Sequence, residues 1–395
     1  MDSEVRADNS IIEAAADYFS HTASVQARMA SRLIESDGNV TESYEHEAER
    51  AVYYASRAVN LMPKNYEYRI LLAAARELNG DLAEAETELR RALVLAPKQV
   101  NVHWRLGNLF IREGKLDPAI NELRYVNEAD PSLLTATLNL LWQATDGKIE
   151  ALRRVVGSDP KSQLTLARFL VEQGQSEVVS EIAKSLDSRT ILDFPETGQL
   201  LDALISAGQI DQASKLWRSF WGTDDKPRIW NGSFETPIRK DFAQFDWNLG
   251  QSKYADIGIT TSNAKTEQRS LKIVYRGIDT TKLGSEIRQF VPVRPNAQYT
   301  LRCYYRAERL TTPDGPKVAV IAQGFTGLLA ASPSLEAGSY DWRLLRLDFV
   351  VPSHVRALII SIEQTPQFSY VDPTRGAVWF DDFVLTEQEQ LTPTF

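Results

Sequence analysis

Cysteine is almost absent from this 395-residue chain, in which Cys303 stands alone. One thiol closes no internal disulfide, so the folded state depends on its cores rather than on covalent staples. Cys303 lies in the apolar stretch 299–305, where a buried, inert thiol is expected rather than a nucleophile. Histidine is scarce as well. His21, His46, His103 and His354 are scattered, without the i, i+4 pairing of a zinc-binding helix. No run approaches the roughly 18–20 uncharged apolar residues of a membrane helix. The polar, acidic start MDSEVRADNS does not read as a secretory leader. Phosphate-cradling glycine loops and nucleophile-elbow serines are missing too. Carboxylates are plentiful, and only the tertiary fold could pair two of them for glycosidase-like acid–base work. These absences point away from catalysis.

Hydrophobic residues make up 43% of the chain and charged residues 25%, which is ordinary for a globular protein long enough to hold two or more domains. Charge is divided unevenly. Residues 1–225 carry 24 Lys and Arg against 35 Asp and Glu, whereas the remainder carries 20 against 18. The acidic first half argues against a nucleic-acid partner, because phosphate binding needs a positive surface.

Pro63, Pro97 and Pro131 recur every 34 residues, the period of a helix–turn–helix solenoid. Leu72-Ala73 matches Leu106-Gly107, Gly80 matches Gly114, Ala85 matches Ala119, and Leu89 matches Leu123. Each type has a reason. Small residues let two helices approach closely. A glycine takes the left-handed conformation that ends the first helix, and proline stops the second. The clearest repeats span 66–99 and 100–133. A weaker one precedes them, with helices expected over 9–35 and 42–62. Looser pairs follow over 133–157, 161–186 and 196–221. This pattern resembles the tetratricopeptide repeat (TPR) family, whose arrays bind a protein or peptide along the surface lined by each first helix. The resemblance places Asn101, Trp104, Asn108 and Arg112 in that groove, with Glu67, Ile70, Ala74 and Glu77 at the equivalent positions of the preceding repeat. The family's usual packing aromatic falls on His103, so Trp104 either turns into the groove or is buried against the next helix.

After Gly222–Pro227 the helical period stops and short alternating segments begin: 270–275, 286–291, 299–306, 317–323, 343–351, 357–363 and 377–386. The expected fold class is multidomain, α plus β: an all-α solenoid over 1–222, an antiparallel β-sandwich over 228–387, and a tail at 388–395. The sandwich is similar to the jelly-roll carbohydrate-binding modules of families 4 and 9, within the galactose-binding-like group. The segments carrying the likeness are Asn231-Gly232-Ser233-Phe234-Glu235, Trp247, Ser270–Ile273, Ile287–Val291, Pro295–Leu301, Asp341-Trp342-Arg343 and Val378–Phe383.

The likeness implies a structural calcium site at Glu235 with Asp381 or Asp382. Alternatively, these acids hydrogen-bond the ends of neighbouring strands. Alternation along 299–306 puts Tyr299, Leu301, Cys303 and Tyr305 on a core face and Arg302, Tyr304 and Arg306 on the other. That second row is the candidate carbohydrate surface, joined by Gln323 and Glu363 from neighbouring strands. Trp247, Trp342 and Trp379 fall where the family has core aromatics. The whole reads as a non-enzymatic adaptor with one protein partner and one polysaccharide partner; the domain types favour a periplasmic or other extracytoplasmic setting at a bacterial cell envelope. A sugar-silent scaffold and the soluble region of a membrane-anchored protein are the alternatives.

Overall fold

The structure, a computed structural model, describes residues 20–35, 42–186, 191–221, 229–278, 283–284, 286–324, 327–364 and 372–388, together with Ala14 and Tyr18. An N-terminal helical solenoid is followed by an antiparallel β-sandwich. The chain divides into two compact units, 1–169 and 170–395.

In the first unit, α1 (Ala23–Glu35) packs on α2 (Glu42–Leu61), α3 (Tyr66–Leu78) on α4 (Leu82–Leu95), and α5 (Val100–Arg112) on α6 (Leu116–Ala129). Helices α7 (Leu134–Ala144), α8 (Ile149–Val156) and α9 (Pro160–Glu172) follow. The 34-residue register has a physical basis at each matched position. Ala73, Ala85 and Ala119 are fully buried at helix crossings. At Gly107 an added Cβ would come within 2.8 Å of the Leu123 Cγ, so even alanine there would force the Leu123 side chain to shift. Gly80 and Gly114 end α3 and α5 with φ of +84° and +74°, a region that penalises any side chain.

The repeat also carries a polar latch. Arg69 binds the buried Glu88 at 2.8 Å and the Pro63 carbonyl at 2.9 Å. One period later, His103 meets Glu122 at 2.6 Å and the Pro97 carbonyl at 3.1 Å. Thus one helix is tied to its partner and to the preceding turn at the same place twice. The first helix differs from expectation. Ser20 and His21 form a turn, and α1 starts at Ala23, with the Thr22 carbonyl accepting from Val25 and Gln26. Most of 9–19 lies outside the described residues.

In the second unit, helices α10 (Val179–Ser185), α11 (Pro195–Ser206) and α12 (Ile210–Ser219) precede ten strands. These are β1 (Trp247–Leu249), β2 (Ala255–Thr260), β3 (Ser270–Arg276), β4 (Ile287–Pro292), β5 (Gln298–Thr311), β6 (Lys317–Ala322), β7 (Leu328–Ala331), β8 (Gly338–Val350), β9 (Ala357–Glu363) and β10 (Arg375–Glu387). One sheet has the order β1-β4-β9-β6-β7, the other β2-β3-β10-β5-β8. Seven of the nine strand-to-strand connections change sheets, the crossing pattern of a jelly roll. Sequence reading missed β1, β2 and β7, which are short or interrupted by Gly258.

The compact-unit boundary falls earlier than the change from helix to strand, because α12 is seated on the strand region. Trp217 of α12 is buried, and its ring lies 5.1 Å from Trp230, 6.0 Å from Phe242 and 5.9 Å from Phe245. Phe245 in turn packs on Phe290 of β4 at 5.6 Å. The start of the sandwich motif has its own constraint. The Gly232 carbonyl accepts from Phe383, and a Cβ at Gly232 would overlap the Phe383 carbonyl. Only glycine fits this crossing.

Candidate functional site

Three first helices of successive pairs, α3, α5 and α7, enclose a hollow of about 570 Å³. Asn101, Trp104, Asn108 and Arg112, the residues singled out from the repeat pattern, all line it. Glu77, Arg105, Ile111 and Leu140 complete it. The substitution of histidine for the packing aromatic explains where Trp104 goes. His103 is buried, stacked on Tyr125 at 3.8 Å, so it takes the inter-helix position and leaves Trp104 half-buried one step around the helix. Arg112 is ion-paired with Glu77 across α5 and α3, and the Asn108 amide donates to the Trp104 carbonyl at 2.8 Å. Arg105 and Asn101 have no partner among the described residues. The hollow thus offers an aromatic face, one uncommitted guanidinium and a free carboxamide. That combination can hold an extended peptide by backbone hydrogen bonds and one apolar or acidic side chain.

In the sandwich, the alternation expected of β5 is present. Tyr299, Leu301 and Cys303 are buried in the core, with Tyr305 packed against it. Arg302 is exposed, and Tyr304 and Arg306 are half-buried on the outer face. Burial pushes the Cys303 thiol far above the usual range, which leaves it no thiolate character. Gln323 and Glu363 do not join the Arg302–Tyr304–Arg306 row. Strand β5 is flanked by β10 and β8, whereas Gln323 follows β6 and Glu363 ends β9, both in the other sheet. The three tryptophans fare differently: Trp247 is in the core cluster, Trp379 is buried but outside that cluster, and Trp342 is only half-buried. Trp379 stands opposite Lys272 on one side and Arg306 on the other, so it faces outward with them.

The carboxylates expected at a calcium site are engaged by N–H donors. Glu235 accepts from the backbone of Gln268 at 2.9 Å and Arg269 at 2.6 Å. Asp381, fully buried, accepts from the backbone of Lys265 at 2.7 Å, Thr266 at 3.0 Å and Asp382 at 2.7 Å. Burial nonetheless holds the Asp381 carboxyl above its ordinary pKa. Calcium needs six to eight oxygens converging on one point. Among the described residues no three His, Cys, Asp or Glu form such a group. Through these bonds Glu235 and Asp381 clamp the 265–269 segment to the sandwich. If these hydrogen bonds alone hold the segment, EDTA leaves the melting temperature unchanged in calorimetry; a fall of several degrees would show a metal-held sandwich.

Two features gave no sequence signal. A hollow of about 550 Å³ lies beside β1, lined by Pro237, Ile238, Leu249, Ile259, Lys240 and Arg269 among others; its residues come from separate segments. Asp246 is buried, with its Oδ1 accepting from the Trp247 backbone at 2.7 Å. Loss of hydration raises its carboxyl to about 7. Among the described residues no helix is long and apolar enough to cross a membrane.

No protein-family profile matches the chain. A stretch of 105 residues, 26% of the chain, is 34% identical to the TPR repeat-containing thioredoxin TTL4 of Arabidopsis thaliana, of which it covers 15%. Among solved structures, the MamA protein is similar at 14% identity and a TM-score of 0.34, over 43% of this chain and 87% of its own. A thermophilic TPR protein of Thermus thermophilus is similar at 16% identity and a TM-score of 0.32, over 37% and 74%. A CBM4 structure is similar at 16% identity and a TM-score of 0.30, over 40% and 99%. Scores this low carry no argument alone. The weight rests on the 34-residue register, the buried small residues and the left-handed glycines, together with the TTL4 segment. The helical region is built of repeats of the tetratricopeptide type, and an antiparallel β-sandwich follows it.

Proposed function

We propose that this chain is a non-enzymatic adaptor: its helical repeats hold a peptide segment of a protein partner, and its sandwich binds a glycan through the outer face carrying Arg302, Tyr304 and Arg306. The observation that supports the first half is the hollow around Trp104, assembled from three successive first helices with the uncommitted Arg105 and Asn101. A large half-buried aromatic flanked by polar groups is the kind of anchor that dominates binding energy. The glycan half rests on the family resemblance and on the aromatic–cationic row of β5. On the same grounds the setting is a cell envelope, where a polysaccharide-handling assembly needs both contacts.

The experiment for the peptide site is a screen of the full chain against an arrayed peptide library, followed by titration calorimetry on the hits. Trp104→Ala is expected to weaken them by about 2 kcal/mol, roughly 30-fold, with the fold unchanged by circular dichroism. Hits that bind the variant equally well would place the peptide elsewhere. If the sandwich binds no glycan, a scaffold that joins two proteins is the reading that remains.

A further inference from the structure

The outer face of the β2-β3-β10-β5-β8 sheet holds its aromatic rings in an unusual state. Trp379 is only 2% exposed, yet it lies outside the sandwich core. Its cover is charged: the Lys272 Nζ sits 5.0 Å and the Arg306 guanidinium 5.8 Å from the ring centroid. Beside it, the Lys265 Nζ sits 4.9 Å from the Tyr304 centroid. A neutral pyranose binds by stacking on a bare aromatic plane, and neither ring offers one. What the face presents outward is cations, held in place by the rings beneath them.

Their charge is poorly answered. Arg346 is bonded to Asp348 at 3.0 Å, and Arg306 meets Asp341 only at 3.7 Å. Lys265, Lys272 and Arg302 have no carboxylate partner among the described residues. Arg302 stands directly across from Arg346, so like charges adjoin. The Arg306 Nε and the Trp379 Nε1 are buried donors without an acceptor. The unpaired cations and the adjoining like charges are both relieved by the same addition, an anion.

We propose that this face binds an acidic polysaccharide, one bearing carboxylate or sulfate groups, with Lys272, Arg302 and Arg306 receiving the anions. The proposal rests on the glycan reading of the sandwich and narrows it to a charged class. Single-stranded nucleic acid is disfavoured on the same geometry, because bases also need open rings on which to stack. Arg302 and Arg306, four residues or about 14 Å apart along β5, with Lys272 two strands away on β3, suit a linear polyanion lying along the sheet.

The test is affinity electrophoresis and calorimetry of the full chain with polygalacturonate and dextran sulfate as acidic probes, and laminarin and xylan as neutral ones. Tight binding to an acidic probe is expected, weakening steeply from 50 to 300 mM salt. Arg302→Ala with Lys272→Ala should lose at least tenfold in affinity while keeping the wild-type melting temperature. Lys272→Glu should lose more. Binding only to neutral glycans, indifferent to these substitutions, would overturn the acidic class and leave the broader glycan reading standing. Silence toward every probe would overturn both. Equal or tighter binding of oligothymidylate, or of phosphatidylglycerol vesicles, with the same sensitivity to Arg302 and Lys272, would make this a general polyanion surface and overturn the polysaccharide assignment.

Discussion

Replacing Trp217 with alanine is expected to cost the C-terminal unit about 3–5 kcal/mol, the usual range for deleting a buried aromatic. The site is demanding for three reasons. The side chain is 1% exposed, so its loss leaves a cavity rather than a dent. Its ring is the hub of a cluster in which Trp221, Trp230, Phe242 and Phe245 lie 5.1 to 6.0 Å away. Its Nε1 donates to the Phe242 carbonyl at 3.3 Å, an acceptor that alanine would leave buried and unpaired. In a unit of this size the melting temperature should fall by on the order of 10 °C, read by calorimetry or by tryptophan fluorescence. Trp217→Phe, which keeps the ring but not the donor, should fall less than half as far. The wider consequence is that α12 and the sandwich unfold together. An alanine variant melting within about 2 °C of the wild type would mean that the helix is merely laid against the strand region and contributes nothing to its stability.

The second large effect is a dependence on pH in an unusual direction. Most carboxylates in folded proteins are held below their free value and stabilise as pH rises. Asp246 is the reverse. Buried between Phe245 and Trp247, it titrates at about 7 instead of 3.8 because loss of hydration outweighs the hydrogen bonds from Trp247 and Asn231. The native state therefore keeps a proton that the unfolded chain releases above about pH 4. Its contribution is fully present below that value, declines between about 4 and 7, and is lost once the folded carboxyl ionises. A shift of this size corresponds to at most about 4 kcal/mol across that window. Asp246→Asn keeps the oxygen that accepts from Trp247 and removes the titration. Its melting temperature is expected to exceed that of the wild type above pH 7 and to converge with it near pH 4. Parallel stability curves for the two proteins from pH 4 to 8 would show that Asp246 titrates normally.

Both effects arise at places where distant segments meet, and this separates what was legible in the sequence from what was not. The helical repeats were legible because their determinants are local and periodic. A glycine that must be left-handed, such as Gly80 or Gly114, and an alanine that must be small, such as Ala85 or Ala119, recur at fixed intervals, since each repeat packs on its neighbour in the same way. The candidate groove positions followed from the same register, but which way Trp104 turned did not; the burial of His103 against Tyr125 settled that. The polar latch was hidden only by chemistry: Arg69 and His103 look unrelated until their shared partners, Glu88 with Pro63 and Glu122 with Pro97, are seen in space.

The sandwich was legible at the level of single strands. Alternation assigns a face, and it assigned Arg302, Tyr304 and Arg306 correctly to the outside of β5. Alternation does not say which strand lies beside which, because pairing is set by contacts far apart in the chain. Gln323 and Glu363 were therefore placed with β5, although β6 and β9 belong to the opposite sheet. Trp379 was assigned to packing because the family has core aromatics there; it is buried, but on the outer face of β10, between Lys272 and Arg306. Local periodicity by itself determined a TPR-type solenoid followed by an antiparallel sandwich, and the residues of the helical groove. Only the tertiary structure decided which charges share a sheet face and which acids are buried. Those outcomes depend on strand order and loss of hydration, and neither is written in any short stretch of sequence.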